Sequence, residues 1–162
     1  MDKKQKILDF MTRDSRISAA QIAAMLDMDE SEVRRAIKGF EDDNVIVKYR
    51  AMVNPQKVEN GNVTALIEIK VIPERGTGFD SVSERIAKFP EVKSLFLLSG
   101  TYDLLAIAEG KNLQEVSAFV SQKLATIERV QSTTTHFLLK KYKEDGIEFF
   151  EQDRTRRLQI TP

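Results

Sequence analysis

Residues 92–109 read VKSLFLLSGTYDLLAIAE, two apolar runs of strand length that meet at Ser99-Gly100. Runs of this length bounded by a turn are strand-like. Upstream, residues 63–72 place Val63, Ala65, Ile67, Ile69 and Val71 at alternate positions, the pattern of a strand covered on one face. Between that strand and 92–99, FDSVSERIAKF sets Phe79, Val82, Ile86 and Phe89 at helical spacing. After the strand at 101–109, NLQEVSAFVSQKL does the same with Leu113, Val116, Val120 and Leu124, and Asn112 is placed to cap it. A last strand is expected over 130–140. The order is βαββαβ, two βαβ units joined at the Ser99-Gly100 turn, which predicts a ferredoxin-like domain over 63–143.

The period changes towards the N-terminus. Three helical segments are expected: 3–13 with Ile7, Leu8 and Met11, 19–26 with Ile22, Ala23 and Leu26, and 30–43 with Val33, Ile37 and Phe40. Ser18 is an N-cap for the second. Asp29 with Glu32 has capping-box spacing for the third, and Asn44 suits the left-handed residue that ends it. Asp27-Met28-Asp29 leaves only a tight turn between helices two and three. VIVKYRAMV (45–53) reads as a strand or hairpin arm, stopped by Asn54-Pro55. A winged helix-turn-helix over 1–53 is the economical reading, and a generic three-helix cap is the alternative. Residues 54–62 form the linker. Residues 144–162 form an appended extension with five acids, then Arg154, Arg156, Arg157 and LQITP; its Phe149-Phe150 is suited to anchoring it on a neighbour. The fold class is α+β.

Composition narrows the chemistry. The 162 residues carry 25 Lys plus Arg and 25 Asp plus Glu, so a polycationic tail is excluded and bulk charge favours no partner. The absence of cysteine excludes disulfides, thiol catalysis and Cys-based metal sites, and a single histidine excludes motifs that need two. No stretch approaches the roughly 18 apolar residues of a membrane span, and MDKKQKILDF is too short an apolar run for a signal peptide. A soluble, cytoplasmic protein with no membrane partner is expected.

The third helix sets Ser31, Arg34, Arg35 and Lys38 on the face opposite Val33, Ile37 and Phe40. Residues 33–40 hold three cations and no acid, although residues 1–50 balance at ten positive and ten negative. Arg can reach guanine O6 and N7 bidentately, Lys can meet a phosphate, and Ser31 can do either. A solvated helix face explains the same residues. Asp27, Asp29, Glu30 and Glu32 crowd the N-terminal end, where they favour the helix dipole but repel phosphate, so monomer affinity for DNA should be modest and a dimer close to necessary. Lys48 and Arg50 can touch flanking DNA backbone, or simply discourage edge pairing.

At Ser99-Gly100-Thr101-Tyr102-Asp103, a glycine lets the backbone turn tightly and its bare amide approach a ligand. Asp103 can accept from an ammonium group while backbone amides hold a carboxylate, which together suit an amino-acid-like zwitterion. A plain β-turn explains the same residues. Thr133, Thr134 and Thr135 can line the same end of the sheet, or simply build a strand. Catalytic arrangements are weak. His136 has no partner at signature spacing, and Gly76-Thr77-Gly78 lacks the third glycine and the lysine of phosphate loops. Neither enzyme activity nor a cofactor is expected.

Taken together, the winged helix, the Asn-Pro after the connecting strand, the βαββαβ order and SGTYDLL resemble the Lrp/AsnC (feast/famine) transcription regulators over about residues 3–143. The family pattern V-x-x-R-I-x-x-L-E-x-x-G-V-I aligns with residues 33–46, with Ala36 in place of the arginine and Asn44 in place of the glycine. S-G-x-Y-D matches at Ser99, Gly100, Tyr102 and Asp103, and T-x-T at Thr133 and Thr135. The resemblance implies a RAM/ACT-like C-terminal domain that dimerises through its sheet, builds tetramers or octamers, and binds an amino acid near the glycine turn. It implies Gly100, Thr101, Tyr102, Asp103, Thr133, Thr135 and His136 as effector contacts, and double-stranded DNA as the partner of the N-terminal domain. The alternative is an amino-acid-sensing regulatory subunit that docks on a partner protein.

Overall fold

A computed structural model describes residues 2–58 and 61–150. The chain divides into two compact units, Met1–Val53 and a second that begins at Asn54.

In the first unit, α1 (Lys3–Arg13), α2 (Ala19–Leu26) and α3 (Glu30–Asp42) close around Ile7, Met11, Ala19, Ile22, Ala23 and Val33. The capping box falls on α2: Ser18 Oγ accepts from the Gln21 amide, and Gln21 Oε1 accepts from the Ser18 amide. α3 lacks the one expected from Asp29 and Glu32, because no side-chain cap bond forms there. The Asp29 carbonyl instead takes the amides of Glu32 and Val33, which closes the first turn and leaves the carboxylates to solvent. Asp27 (φ 50°) ends α2 in the left-handed region and folds the chain straight into α3, and Asn44 (φ 56°) ends α3 the same way. Residues 45–53, expected as a strand, carry none. Their alternation is present, but no neighbouring strand offers a ladder among the described residues, and a lone strand cannot satisfy its own backbone. Val45, Val47, Tyr49, Met52 and Val53 are consequently exposed.

The second unit runs β1 (Val63–Val71), α4 (Asp80–Ala87), β2 (Val92–Leu97), β3 (Leu104–Gly110), α5 (Leu113–Phe119) and β4 (Val130–Phe137). The strands form one antiparallel sheet in the order β2-β3-β1-β4, the ferredoxin-like arrangement. Ala65, Ile67, Ile69 and Val71 face α4 and α5 and pack with Leu104, Ala106, Ala108, Val82, Ile86, Val116, Phe119 and Leu124. One expected core residue moves outward: Leu113 is half exposed, because it directly follows the Asn112 cap. Phe119 takes its place against Phe89, ring edge to face at 5.5 Å. A π-helical turn, Val120–Leu124, then shifts the phase so that Leu124 reaches the core five residues after Phe119.

β2 and β3 stop short of Ser99-Gly100. A six-residue connection, 98–103, replaces the expected tight turn, because the Asp103 amide donates to the Ile69 carbonyl and the Leu98 amide to the Asp103 carbonyl. β4 ends at Phe137 rather than 140. A small hairpin, β5 (Lys143–Glu144) and β6 (Ile147–Glu148), turns on Asp145 and Gly146, both at positive φ. It leaves Phe149 buried and Phe150 against Tyr142. The extension expected at 144–162 thus begins inside this hairpin, and Arg154, Arg156, Arg157 and LQITP lie outside the described residues. Among the described residues no helix is long and apolar enough to cross a membrane.

Candidate functional site

Two places collect the side chains expected to be functional. On α3, Val33 is wholly buried while Ser31, Arg34, Arg35 and Lys38 are all exposed, as the helical period requires. They cover about 10 Å of helix length at 1.5 Å per residue. Arg34 Nε donates to Glu30 Oε1 at 2.8 Å, and Arg35 Nε donates to the Ser31 carbonyl at 3.3 Å. An exposed ion pair of this kind contributes about 1 kcal/mol or less, so the guanidinium exchanges readily for another anion. Lys48 and Arg50 sit on the extended segment beyond α3. That segment is tied back to the C-terminal half of the helix by the Ile46 amide on the Phe40 carbonyl (2.9 Å) and the Tyr49 hydroxyl on Glu41 Oε1 (2.8 Å). Ser31 lies at the other end, beside Glu30 and Glu32 of the first turn.

In the second unit, the 98–103 connection borders an open cavity of about 530 Å³ lined by Glu68, Leu97, Leu98, Ser99, Gly100, Thr101 and Tyr102. Gly100 lacks positive φ, and a Cβ there would meet nothing within 4 Å, so the space above it is open. Asp103 turns the other way. Its Oδ2 accepts from the Val71 amide at 2.9 Å and its Oδ1 from Lys70 Nζ at 3.1 Å, while the same ammonium reaches the Thr101 carbonyl at 3.2 Å. The Val71 amide, aided by Lys70, holds the Asp103 carboxyl below its ordinary range despite partial burial.

The remaining expected contacts separate by face. Thr133 and Thr135 pair with Ile69 and Ile67 and therefore share the helix-covered side of the sheet. Thr134 and His136 pair with Glu68 and Leu66 on the opposite, open side. There the Tyr102 hydroxyl shares a 3.0 Å hydrogen bond with Thr134 Oγ1, and His136 Nε2 stands 3.4 Å from Glu68 Oε2. Of the seven expected contacts, Gly100, Thr101 and Tyr102 line one cavity. Asp103 braces its wall, His136 stands near it on Glu68, and the two threonines lie behind the sheet.

Known families match both units. Residues 2–47 match a winged helix-turn-helix DNA-binding family, and residues 64–147 match the Lrp/AsnC ligand binding domain. The chain belongs to the Lrp/AsnC family. It is 44% identical over 162 residues to the uncharacterized HTH-type transcriptional regulator YugG of Bacillus subtilis, covering 99% of this chain and 98% of that one. It is 29% identical to the HTH-type transcriptional regulator FL11 of Pyrococcus furiosus, covering 88% and 91%. A transcriptional regulator of Neisseria meningitidis, solved as an L-methionine complex, superposes with a TM-score of 0.68 at 25% identity, covering 91% and 96%. Escherichia coli AsnC, at 18% identity over 91% and 97%, shares the fold with a TM-score of 0.70. This Lrp/AsnC chain thus pairs a DNA-binding unit with a ligand-binding one, and it is a DNA-binding regulator of the small-molecule-responsive kind.

Sequence reasoning missed Glu68, Lys70, Leu97 and Leu98. The alternation of β1 does place Glu68 and Lys70 off the core face, and that signal was available. What the sequence lacks is the register that sets β1 between β3 and β4, with Glu68 beside Leu105 and Thr134.

Proposed function

We propose that this chain reads a specific DNA sequence through the exposed face of α3 and answers to an amino acid held at the 98–102 connection, as a cytoplasmic regulator without catalytic chemistry of its own. The observation that carries the reading is the segregation on α3: Val33 wholly buried, with Ser31, Arg34, Arg35 and Lys38 exposed behind it. Arg34, Arg35 and Lys38 would contact base edges and phosphates, with Lys48 and Arg50 on flanking backbone. Assembly from two or more copies is supported by the open face of the sheet, where Leu66, Leu105, Ile107 and the half-exposed Phe96 lie together by register. Two heads related by a two-fold axis would read half-sites a whole number of helical turns apart. An amino-acid effector is supported by the methionine bound to the Neisseria relative and by the polar cavity beside Gly100. Of the contacts expected from sequence, Gly100, Thr101 and Tyr102 would touch that effector; Asp103, Thr133, Thr135 and His136 would act around them.

Two measurements test this. Selection of duplexes from a random pool should yield a defined site, and the Arg34→Ala, Arg35→Ala, Lys38→Ala triple variant should lose it by at least about 100-fold at unchanged thermal stability. Loss of a protein partner, with no DNA selected by either form, would favour the docking-subunit alternative instead. A thermal-shift screen against the twenty L-amino acids should raise the melting temperature with at least one of them.

A further inference from the structure

Tyr142, Ile147 and Phe150 are each more than half exposed. They belong to the small hairpin of β5 and β6, where Lys143 stands opposite Glu148 and Glu144 opposite Ile147. The Phe149 amide donates to the Tyr142 carbonyl at 2.9 Å. Hydrogen-bonded and unbonded positions alternate along an antiparallel pair. Residues 142 and 149 are therefore a bonded pair and 143 and 148 an unbonded one, so the backbone N–H and C=O of Glu148 point away from β5 at an open edge. By the same alternation Tyr142, Ile147 and Phe149 share one face. Phe149 is buried, Tyr142 and Ile147 are not, and Phe150 closes on Tyr142 with 5.8 Å between ring centroids. A two-stranded ribbon with an apolar face and a bare edge lacks the third strand that such units need for stability. The chain itself carries a segment of the right pattern. Residues 151–162, EQDRTRRLQITP, lie outside the described residues. In their sequence Leu158 and Ile160 alternate with Arg157, Gln159 and Thr161, and Pro162 is the only proline or glycine.

We propose that residues 156–161 return as a third strand on the open edge of β6. A four-residue loop, 152–155, with Asp153 as its turn former, sets Arg156 opposite Glu151, Leu158 opposite Phe149 and Ile160 opposite Ile147. In that register Leu158 and Ile160 extend the face of Phe149 and Ile147. Arg156 and Glu151 make a cross-strand pair of opposite charge, and Glu148 exchanges both of its backbone bonds with Gln159. A slip by one residue would turn Leu158 and Ile160 to the face of Lys143 and Glu148, which already pair with each other at 3.6 Å. The apolar face thus selects the register. The short loop selects the occupant, because it holds this strand beside its own hairpin at an effective concentration of about millimolar.

The chain has no cysteine, so an introduced pair reports without background. Opposed residues of an unbonded antiparallel pair have Cα atoms about 4.5 Å apart, within disulfide range. The full-length Ile147→Cys, Ile160→Cys variant, oxidised at low protein concentration, should close a disulfide within one chain, read on a non-reducing gel and by mass spectrometry of the linked peptides. Glu148→Cys with Ile160→Cys, which take opposite faces, should close at least about 10-fold more slowly. Hydrogen exchange gives a second readout in a chain without cysteine. The Glu148 amide should exchange at least about 10-fold faster in Leu158→Asp, Ile160→Asp than in the wild type, with the amides of β1 unchanged. Equal closure of the two cysteine pairs overturns the proposal, and so does an unchanged Glu148 amide. A disulfide that joins two chains overturns it in favour of a strand exchanged with a second copy. If the aspartate variant loses protection in β1 as well, it has unfolded, and the two cysteine pairs decide alone.

Discussion

The face of α3 and the 98–103 connection both gather charge, and they use it in opposite ways. On α3 the cations are exposed and loosely held: Arg34 pairs with Glu30 in solvent, and Lys38 has no partner among the described residues. At the connection, Asp103 is mostly buried and spends its carboxylate on the chain itself. The lesson is that a charged residue in a suggestive motif is available for a ligand only where the fold has not already claimed it. Exposed pairs are exchangeable at little cost, whereas a buried carboxylate with a backbone amide and an ammonium around it is part of the scaffold.

Four substitutions sharpen or break that contrast, beginning with the largest. Ile22→Ala removes a wholly buried side chain from a helical core of only six buried residues. It should cost about 2–5 kcal/mol, enough to unfold the helical unit and abolish DNA retention while the sheet unit's melting transition persists. A single merged transition lost in both units would contradict the division. Asp103→Ala leaves the Val71 amide and Lys70 without their acceptor and should cost about 1–3 kcal/mol by denaturant titration. Because the folded-state pKa of Asp103 lies below its unfolded value, its contribution is fully present above the ordinary carboxylate pKa of about 4 and is lost as pH falls through the depressed value. The wild type should therefore lose stability on acidification more steeply than Asp103→Ala; parallel curves would show that the carboxylate is not held as described. Gly39→Ala, in the middle of α3 with ordinary φ and open space at the Cβ position, should stabilise the helix by up to about 1 kcal/mol. A loss of DNA affinity in that stabler variant would mark Gly39 as a point of close approach. Glu30→Gln should change stability by less than about 1 kcal/mol and tighten DNA binding slightly by releasing Arg34; weaker DNA binding would show that Glu30 aims the guanidinium instead.

Much of the architecture was legible because the two periods are local signals. The helical spacing of Val33, Ile37 and Phe40 and the alternation from Val63 to Val71 place their elements within a residue or two of the observed ends. The failures are non-local or geometric. The 45–53 alternation has strand character but no ladder partner, and propensity cannot supply one. The phase shift that brings Leu124 into the core follows from a π-helical turn that no residue pattern announces. At the site, spacing brought out Gly100, Thr101 and Tyr102 because they are contiguous. Spacing places Thr133 and Thr135 at the same end of the sheet but cannot say which face they take, and Glu68 is hidden by the same want of register: 32 residues separate it from Gly100. Neutral composition also conceals the α3 face, since acids at its N-terminal end balance the cations beside it.

The central claim is that the α3 cations are the DNA contacts of an otherwise neutral protein. It is tested most directly by the salt dependence of binding to the selected duplex, measured by fluorescence anisotropy for the wild type and for Arg34→Ala, Arg35→Ala, Lys38→Ala. Each phosphate contact contributes about 0.9 to the slope of log K against log salt, so the variant's slope should be shallower by roughly one unit per phosphate-bound cation removed in each head, with affinity reduced throughout. Equal slopes and equal affinities for the two proteins would contradict the account and place the DNA contacts elsewhere on the chain.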